Sequence, residues 1–402
     1  MNIKKSAEKY EDYIIERRRY YHQYPEITLE EKDTTEALIK DLHEMGITDI
    51  KRFEKGWYGF VATITGGKPG KTVMLRSDID ALPVKEETNL PFSSKNIGKM
   101  HACGHDAHMA MLLGAAKILQ EIKEDISGTV KLMFQPAEEW GIGAPEAISQ
   151  GFLIGVDAIY GTHVWADIPT GTFNFENGDR MAGAGIGKLT VKGVGAHGSA
   201  PHLGHDAIVA ASAIVMAIQS IVSRMNNPLK PLVVGVGTIH GGLGYNIIPS
   251  NVEMDLTIRY YDVEIGNNIE RIIRKVAENM AKAYGCQAIF EYGHRIEPVS
   301  NQDESLIAIA QNAVKKLYGE DALVPMTKLT SSEDYAFFMG KVPGIFGFAG
   351  IKSADVPGSE KNNHNQCFTV DERMLSKGAA VAAQFAYDYL KDNTMQKKGG
   401  EK

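Results

Sequence analysis

The sequence predicts an α/β protein: a mixed, largely parallel sheet flanked by helices, interrupted by an inserted ferredoxin-like β-α-β-β-α-β module. Three observations lead there. Between residues 59 and 160, short β-branched runs alternate with a long apolar-striped segment, the rhythm of strands joined by helices. From 186 to 296 the rhythm changes to strand, helix, two strands, helix, strand, the split βαβ order. Helix–strand alternation then resumes to the end. The expected organisation is one discontinuous domain, residues 1–185 and 297–402, with 186–296 inserted as a second. A chain of 402 residues, 44% hydrophobic, can bury two such cores.

Taken in order, residues 6–46 read as one or two helices. Ile14, Ile15, Ile39, Leu42 and Met45 fall at helical spacing, with a break near Tyr24-Pro25-Glu26. Strands are expected at 59–64 and 72–76, the second leading into Ser77-Asp78-Ile79-Asp80. Asp78 and Asp80 share a face if that stretch is extended. Met109, Leu112, Leu113, Ala116 and Leu119 mark an amphipathic helix, with Asp106 placed where an N-cap would stand. Strands at 129–134 and 157–160 precede Glu138-Glu139 and His163, so all these polar residues are expected beyond strand ends. The inserted module is read as strands 187–194, 232–239, 251–261 and 287–293 with helices 206–224 and 267–284. Helices at 303–317, after Asp334 and at 371–391, and a strand at 344–348, complete the first domain. The last ten residues are expected to be unstructured.

Composition excludes several function classes. A net charge of −7 with no basic block beyond a short Lys-rich tail argues against a nucleic-acid face. The charged N-terminus lacks an apolar signal segment, and no run approaches the roughly 18 apolar residues that span a bilayer. Three cysteines, Cys103, Cys286 and Cys367, are an odd and sparse set, which points to a reducing, cytoplasmic setting.

The chemistry concentrates in His101-Ala102-Cys103-Gly104-His105-Asp106-Ala107-His108. If extended, this stretch turns His101, Cys103 and His105 to one side, within reach of one metal ion or two neighbouring ones. A His-rich turn around a buried cysteine remains the alternative. In Glu138-Glu139, one carboxylate can ligate a metal while the other stands beside it to take a proton from water; an exposed acidic turn is the plainer reading. Pro136 and Trp140 are expected to shield the pair partly. His163 and His364 are each ambiguous alone, as capped or surface histidines. Together with Cys103, His105 and Glu139 they form a mixture of soft and hard donors suited to zinc or another first-row divalent ion.

Across nearly its whole length the chain resembles the binuclear metal-dependent amidohydrolases and metallopeptidases that include aminoacylases, hippurate hydrolase and the indole-acetyl-amino-acid hydrolases. The likeness is carried by Ser77–Pro83, His101–Asp106, Gln135–Glu139, Gly161-Thr162-His163, Gly195–His202, Asn246–Pro249, Ser332–Tyr335 and His364. The resemblance implies that Cys103, His105, Glu139, His163 and His364 hold two divalent ions per subunit, with Cys103 bridging. Zinc or manganese is expected, with cobalt or nickel also tolerated. It implies Glu138 as general base, Asp80 as a residue that orients a ligand, and the insert as a lid and dimerisation domain, hence a possible homodimer. His197 in that domain would stabilise the oxyanion; Asn246 and Arg259 would bind the substrate's carboxylate, although Arg259 also reads as an ordinary strand-surface arginine.

Two motifs are decoys. Gly193-Val194-Gly195-Ala196-His197-Gly198 matches the dinucleotide pattern, but Pro201 follows in a turn where that pattern opens a helix. A Cys103 nucleophile would leave Glu138, Glu139, His163 and His364 without a role. The expected activity is metal-dependent hydrolysis of the amide bond of a small N-acyl amino acid or peptide-like substrate. The alternatives are a dipeptidase, deacetylase or carboxypeptidase on the same scaffold, or a metal-dependent binder of N-acyl amino acids that does not cleave them.

Overall fold

Seven strands form one sheet in the computed structural model, which describes residues 2–396. Their spatial order is Ile50–Arg52, Phe60–Thr65, Ser127–Gln135, Lys68–Asp78, Ala158–Pro169, Gly344–Lys352 and Phe173–Asn174. The four central strands pair in parallel, while the edges are antiparallel. The mixed, largely parallel α/β reading therefore holds. Gly344–Lys352 is buried along all but its last residue, as a strand covered on both faces must be. Its apolar run Ile345, Phe346 and Phe348 supplies that cover.

Helix His105–Glu121 is apolar on nearly every side, and all but three of its residues are buried. That composition suits a helix enclosed by other elements rather than one at a surface. Ile14 of helix Glu11–Gln23 and Ala379 of helix Leu375–Gln396 approach Gly114 so closely that a Cβ there would meet them at 2.6 and 2.8 Å. The N-terminal region contains three helices, Ile3–Lys9, Glu11–Gln23 and Lys32–Glu44, not one or two. Helix Leu375–Gln396 runs four residues into the tail expected to be unstructured; the rest of that tail lies outside the described residues.

The chain divides into two compact units. One comprises the residues up to Gly178, Ser300–Thr327 and the chain from Phe337 on; the other comprises Asp179–Val299 and Lys328–Ala336. The second unit is wider than the expected 186–296. The first strand of its four-stranded sheet begins at Gly183, and Ala182 N–H donates to the carbonyls of Leu329 and Ser331, which ties 328–336 to it. In this unit, strands Gly183–Lys192, Leu232–Gly241, Asn251–Tyr260 and Gln287–Ile296 form an antiparallel sheet. Leu232–Gly241 lies at one edge, followed by Asn251–Tyr260, Gly183–Lys192 and Gln287–Ile296. Helices Ala207–Ser220 and Val263–Ala283 bury Ala210, Ile214, Ile218, Ile269, Ile273 and Ala277 in its core. One expectation needs correcting. The helical segment Ala207–Met225 is long and apolar enough to cross a membrane by length and composition.

Candidate metal centre

The stretch His101–His108 is not extended. Cys103 lies in a turn, Gly104 takes a left-handed conformation at φ 86°, and His105 opens the helix. A side chain at Gly104 would be strained there, and its Cβ would meet Val164 Cγ2 at 2.4 Å. Cys103 and His105 thus converge through a turn into a helix, not through strand alternation. Asp106 is not the N-cap either, since Gly104 holds that position. Asp106 is buried within the first turn, paired with Arg18 Nε at 2.7 Å and His22 Nδ1 at 2.8 Å. His163 lies inside strand Ala158–Pro169, not beyond its end.

Two imidazoles are oriented by what their Nδ1 atoms can reach. His105 Nδ1 lies 2.8 Å from the Asp80 carbonyl, and His163 Nδ1 lies 2.7 Å from the Val164 carbonyl. A carbonyl only accepts, so each Nδ1 carries a proton and turns Nε2 towards the centre. This arrangement prepares a histidine to ligate a cation. His163 Nε2 stands 3.4 Å from Cys103 Sγ, and His105 Nε2 is buried with no hydrogen-bond partner. Glu139 Oε1, equally unpartnered, faces it at 3.8 Å, while Glu139 Oε2 is 3.5 Å from His364 Nε2.

These atoms fall into two triads, Cys103–His105–His163 and Cys103–Glu139–His364, each with donor atoms within 4.8 Å of one another. Cys103 belongs to both. A third grouping sets Glu138 beside His105 and Glu139. Burial pushes the Cys103 thiol well up, with Glu139 adding to it, and burial raises Glu139 to about 7. Burial also holds His163 well below the usual imidazole range. Buried, unpartnered lone pairs beside acidic groups that resist ionising are a donor set suited to divalent cations.

The remaining expected residues fall into two classes. Asp80, fully buried, reaches no open space. Its Oδ1 accepts from Glu138 N–H at 3.2 Å and its Oδ2 from Glu139 N–H at 3.1 Å and Thr28 Oγ1 at 2.7 Å. His364 has φ 71°, a left-handed conformation that is costly for a residue with a Cβ, and its N–H donates to Ala102 O at 2.8 Å. Trp140 is 59% exposed, whereas Pro136 is buried. His197, Asn246 and Arg259 belong to the second unit. There, His197 pairs with Ile247 and is exposed, Gly198 N–H donates to Asn246 O at 2.7 Å, and Arg259 is half-buried.

Sequence reasoning places Asp78 with Asp80 near the site and leaves His108 to support or packing, and it gives Arg76 no role. His108 Nε2 accepts from Val164 N–H at 2.9 Å, so its Nδ1 donates to Asp78 Oδ1 at 2.6 Å. Arg76 reaches Asp78 Oδ2 at 2.8 Å and Gln135 Oε1 at 2.7 Å. Burial alone would raise the Asp78 carboxyl, but His105, His108 and Arg76 hold it well below the usual range. The alternation of Asp78 with Asp80 was the available signal.

A buried charge network also braces the helix start. His22 Nε2 meets Glu86 Oε1 at 3.1 Å, and Ser94 N–H donates to Glu86 Oε2 at 2.6 Å. Burial would raise Glu86, yet the bond from His22 lowers it from 4.5 to about 2. A depressed carboxyl stabilises the fold above its unfolded value and loses that contribution as pH falls through its folded value. We therefore expect about 3 kcal/mol of stability to disappear between pH 4.5 and pH 2. Chemical denaturation across that window should show a shallower loss in Glu86→Gln; equal slopes would refute the assignment.

A family model described as peptidase family M20/M25/M40 matches residues 74–388. N-acetyl-L-cysteine deacetylase of Bacillus subtilis (strain 168) is 38% identical over 385 residues, 95% of this chain and 88% of that protein. Thermostable carboxypeptidase 1 of Saccharolobus solfataricus is 36% identical over 389 residues, 96% of this chain and 98% of that protein. A Bacillus subtilis crystal structure, described as a dinuclear metal binding peptidase of the M20 family, superposes with a TM-score of 0.84. It is 32% identical over 96% of this chain and 99% of its own.

Proposed function

This chain belongs to peptidase family M20/M25/M40, and from that premise we propose that it is a metal-dependent amidohydrolase cleaving N-acyl amino acids. The observation that carries this reading is the pair of triads sharing Cys103, with Glu138 beside them. Cys103, His105, Glu139, His163 and His364 would hold two divalent ions, zinc or manganese by donor type, with cobalt or nickel tolerated. Such ions lower the pKa of water and polarise a carbonyl.

The chain's own residues then divide the work. Glu138 takes the proton of the attacking water and returns it to the leaving amine. Asp80 holds Glu138 and Glu139 by their N–H groups and fixes the His105 tautomer, which makes it a positioning residue. We assign His197 to the oxyanion, and Asn246 and Arg259 to the substrate's carboxylate. Burial lowers the Arg259 pKa, as expected of a guanidinium with little water around it.

We read the second unit, residues 186–296 at its centre, as a ferredoxin-like lid and dimerisation domain. Its sheet order, numbering strands along the unit, is 2-3-1-4. Strand Leu232–Gly241 leaves an open edge with Val233 and Ile239 about half exposed, and helix Ala207–Ser220 presents Met216 at 73% exposure. An apolar open edge beside an apolar helix face is a surface that pairing with a second copy would cover. Light scattering should give twice the chain mass, and Val233→Lys should halve it; a monomeric parent protein would sink the dimer. The three free cysteines, one of them a proposed ligand, suit a reducing cytoplasm. Protease susceptibility of cytoplasmic and exported fractions of a tagged chain would test that placement.

The function itself is tested by incubating metal-loaded protein with a panel of N-acyl amino acids and blocked peptides and detecting free amine. Release from N-acyl amino acids is expected. Release confined to the C-terminal residue of blocked peptides would favour a carboxypeptidase, the reading that the Saccharolobus solfataricus relative supports. Tight binding without release would leave a binding protein.

A further inference from the structure

We propose that Glu31 is a positioning residue for the hydrolysis, setting the turn that carries Glu138 by accepting the Ala137 N–H. The inference rests on Glu138 acting as the base. Ala137, immediately before it, sits at φ 57°, a left-handed conformation that a side-chain-bearing residue adopts only when its surroundings impose it. Three hydrogen bonds impose it. Ala137 N–H donates to Glu31 Oε1 at 2.9 Å, and Ala137 O accepts from Ile142 and Gly143 N–H at 3.3 and 3.1 Å.

Three successive N–H groups, those of Ala137, Glu138 and Glu139, therefore end on two buried carboxyls, Glu31 and Asp80. Glu31 is fully buried and is itself fixed in place. It stands at the N-cap of helix Lys32–Glu44, where its carbonyl accepts from Thr35 N–H at 3.0 Å. The same segment grips Asp80. Thr28 donates to it, and the Glu26 carbonyl accepts from Ala81 N–H at 2.8 Å. Residues 26–31 thus supply one of the two carboxyls that hold the turn and anchor the other.

Glu31 Oε2 is buried and makes no hydrogen bond, while backbone groups of Glu31 and Leu29 join that of Ala137 in favouring the charged carboxyl. Burial, reinforced by Asp80, pushes Glu31 up to about 8, which makes a neutral amide a close replacement for it at neutral pH. Without the acceptor, Ala137 N–H would be buried and unpaired, and relaxation of the turn would move the next residue.

The test is kinetic, on the metal-loaded full chain with an N-acyl amino acid. Glu31→Ala should lower kcat by about 10- to 100-fold, while KM and metal content by elemental analysis stay within about threefold. Glu31→Gln, which keeps an acceptor oxygen, should stay within about threefold of the parent kcat. In the Glu31→Ala background, Ala137→Gly should restore part of the loss, because glycine adopts positive φ without imposed contacts. Should Glu31→Ala not fold, Glu31→Asp withdraws the acceptor by one methylene and should lower kcat in the same way.

Unchanged kcat in Glu31→Ala would overturn the proposal. So would a Glu31→Gln as impaired as Glu31→Ala, or a loss that follows metal content. Glu138→Gln assayed alongside separates the two readings. Activity retained there removes the base itself, whereas activity retained only in Glu31→Ala removes Glu31 alone.

Discussion

Glu138→Gln is expected to lower kcat by about 10²- to 10⁴-fold, the range attributed to a positioned general base. Glutamine keeps the side-chain shape, and the backbone N–H that anchors residue 138 to Asp80 at 3.2 Å is untouched. What it loses is the ability to take a proton. Glu138 shares no triad with Cys103 among the described residues, so both proposed ions should remain bound. Steady-state kinetics with elemental analysis of the same preparation would show low turnover at full metal content. Near-normal turnover would remove Glu138 from the mechanism, and metal loss would make it a ligand instead.

The second large effect is expected at Cys103. Its Sγ is common to both triads, so Cys103→Ala withdraws a donor from each at once. Changes to groups that merely orient ligands typically cost about 10- to 100-fold in metal affinity. Loss of a shared ligand should exceed that and should take activity with it. Metal titration followed by calorimetry, with stoichiometry by elemental analysis, would report the change. Two ions held at unaltered affinity would refute the ligand assignment. Alanine leaves the buried site only slightly under-packed, so thermal unfolding of the metal-free proteins should differ little between variant and parent.

Much of the centre was legible because ligands of a metal site must be particular residue types. Cys103, His105 and Glu139 stand out in short motifs dense in Cys, His and Glu, whereas His163 and His364 gain meaning only beside them and from the family resemblance. Their supports do not stand out. Glu31 lies over a hundred residues from Ala137, and nothing in Thr28-Leu29-Glu30-Glu31 distinguishes an accepting carboxyl from a solvated one. The sequence also misjudged geometry where one backbone angle decides the outcome. His101–His108 has the alternation of a strand, but Gly104 at φ 86° turns it into a helix start. His163 appeared to follow a strand that in fact continues to Pro169, because its register with Gly344–Lys352 extends the parallel pairing through it.

By itself, then, the sequence determined the class of fold, the approximate run of elements, the family resemblance and the identity of the metal-binding candidates. Each of these depends on periodicity or on side-chain chemistry, which are local properties. Only the tertiary structure decided which nitrogen of His105 and His163 faces the centre, since that follows from the carbonyls of Asp80 and Val164 beside them. It alone showed that Cys103 Sγ is common to two groups of candidate donor atoms, and that His108 serves Asp78. Hydrogen bonds are short and directional, so their partners are settled by where the chain returns in space, not by spacing along it.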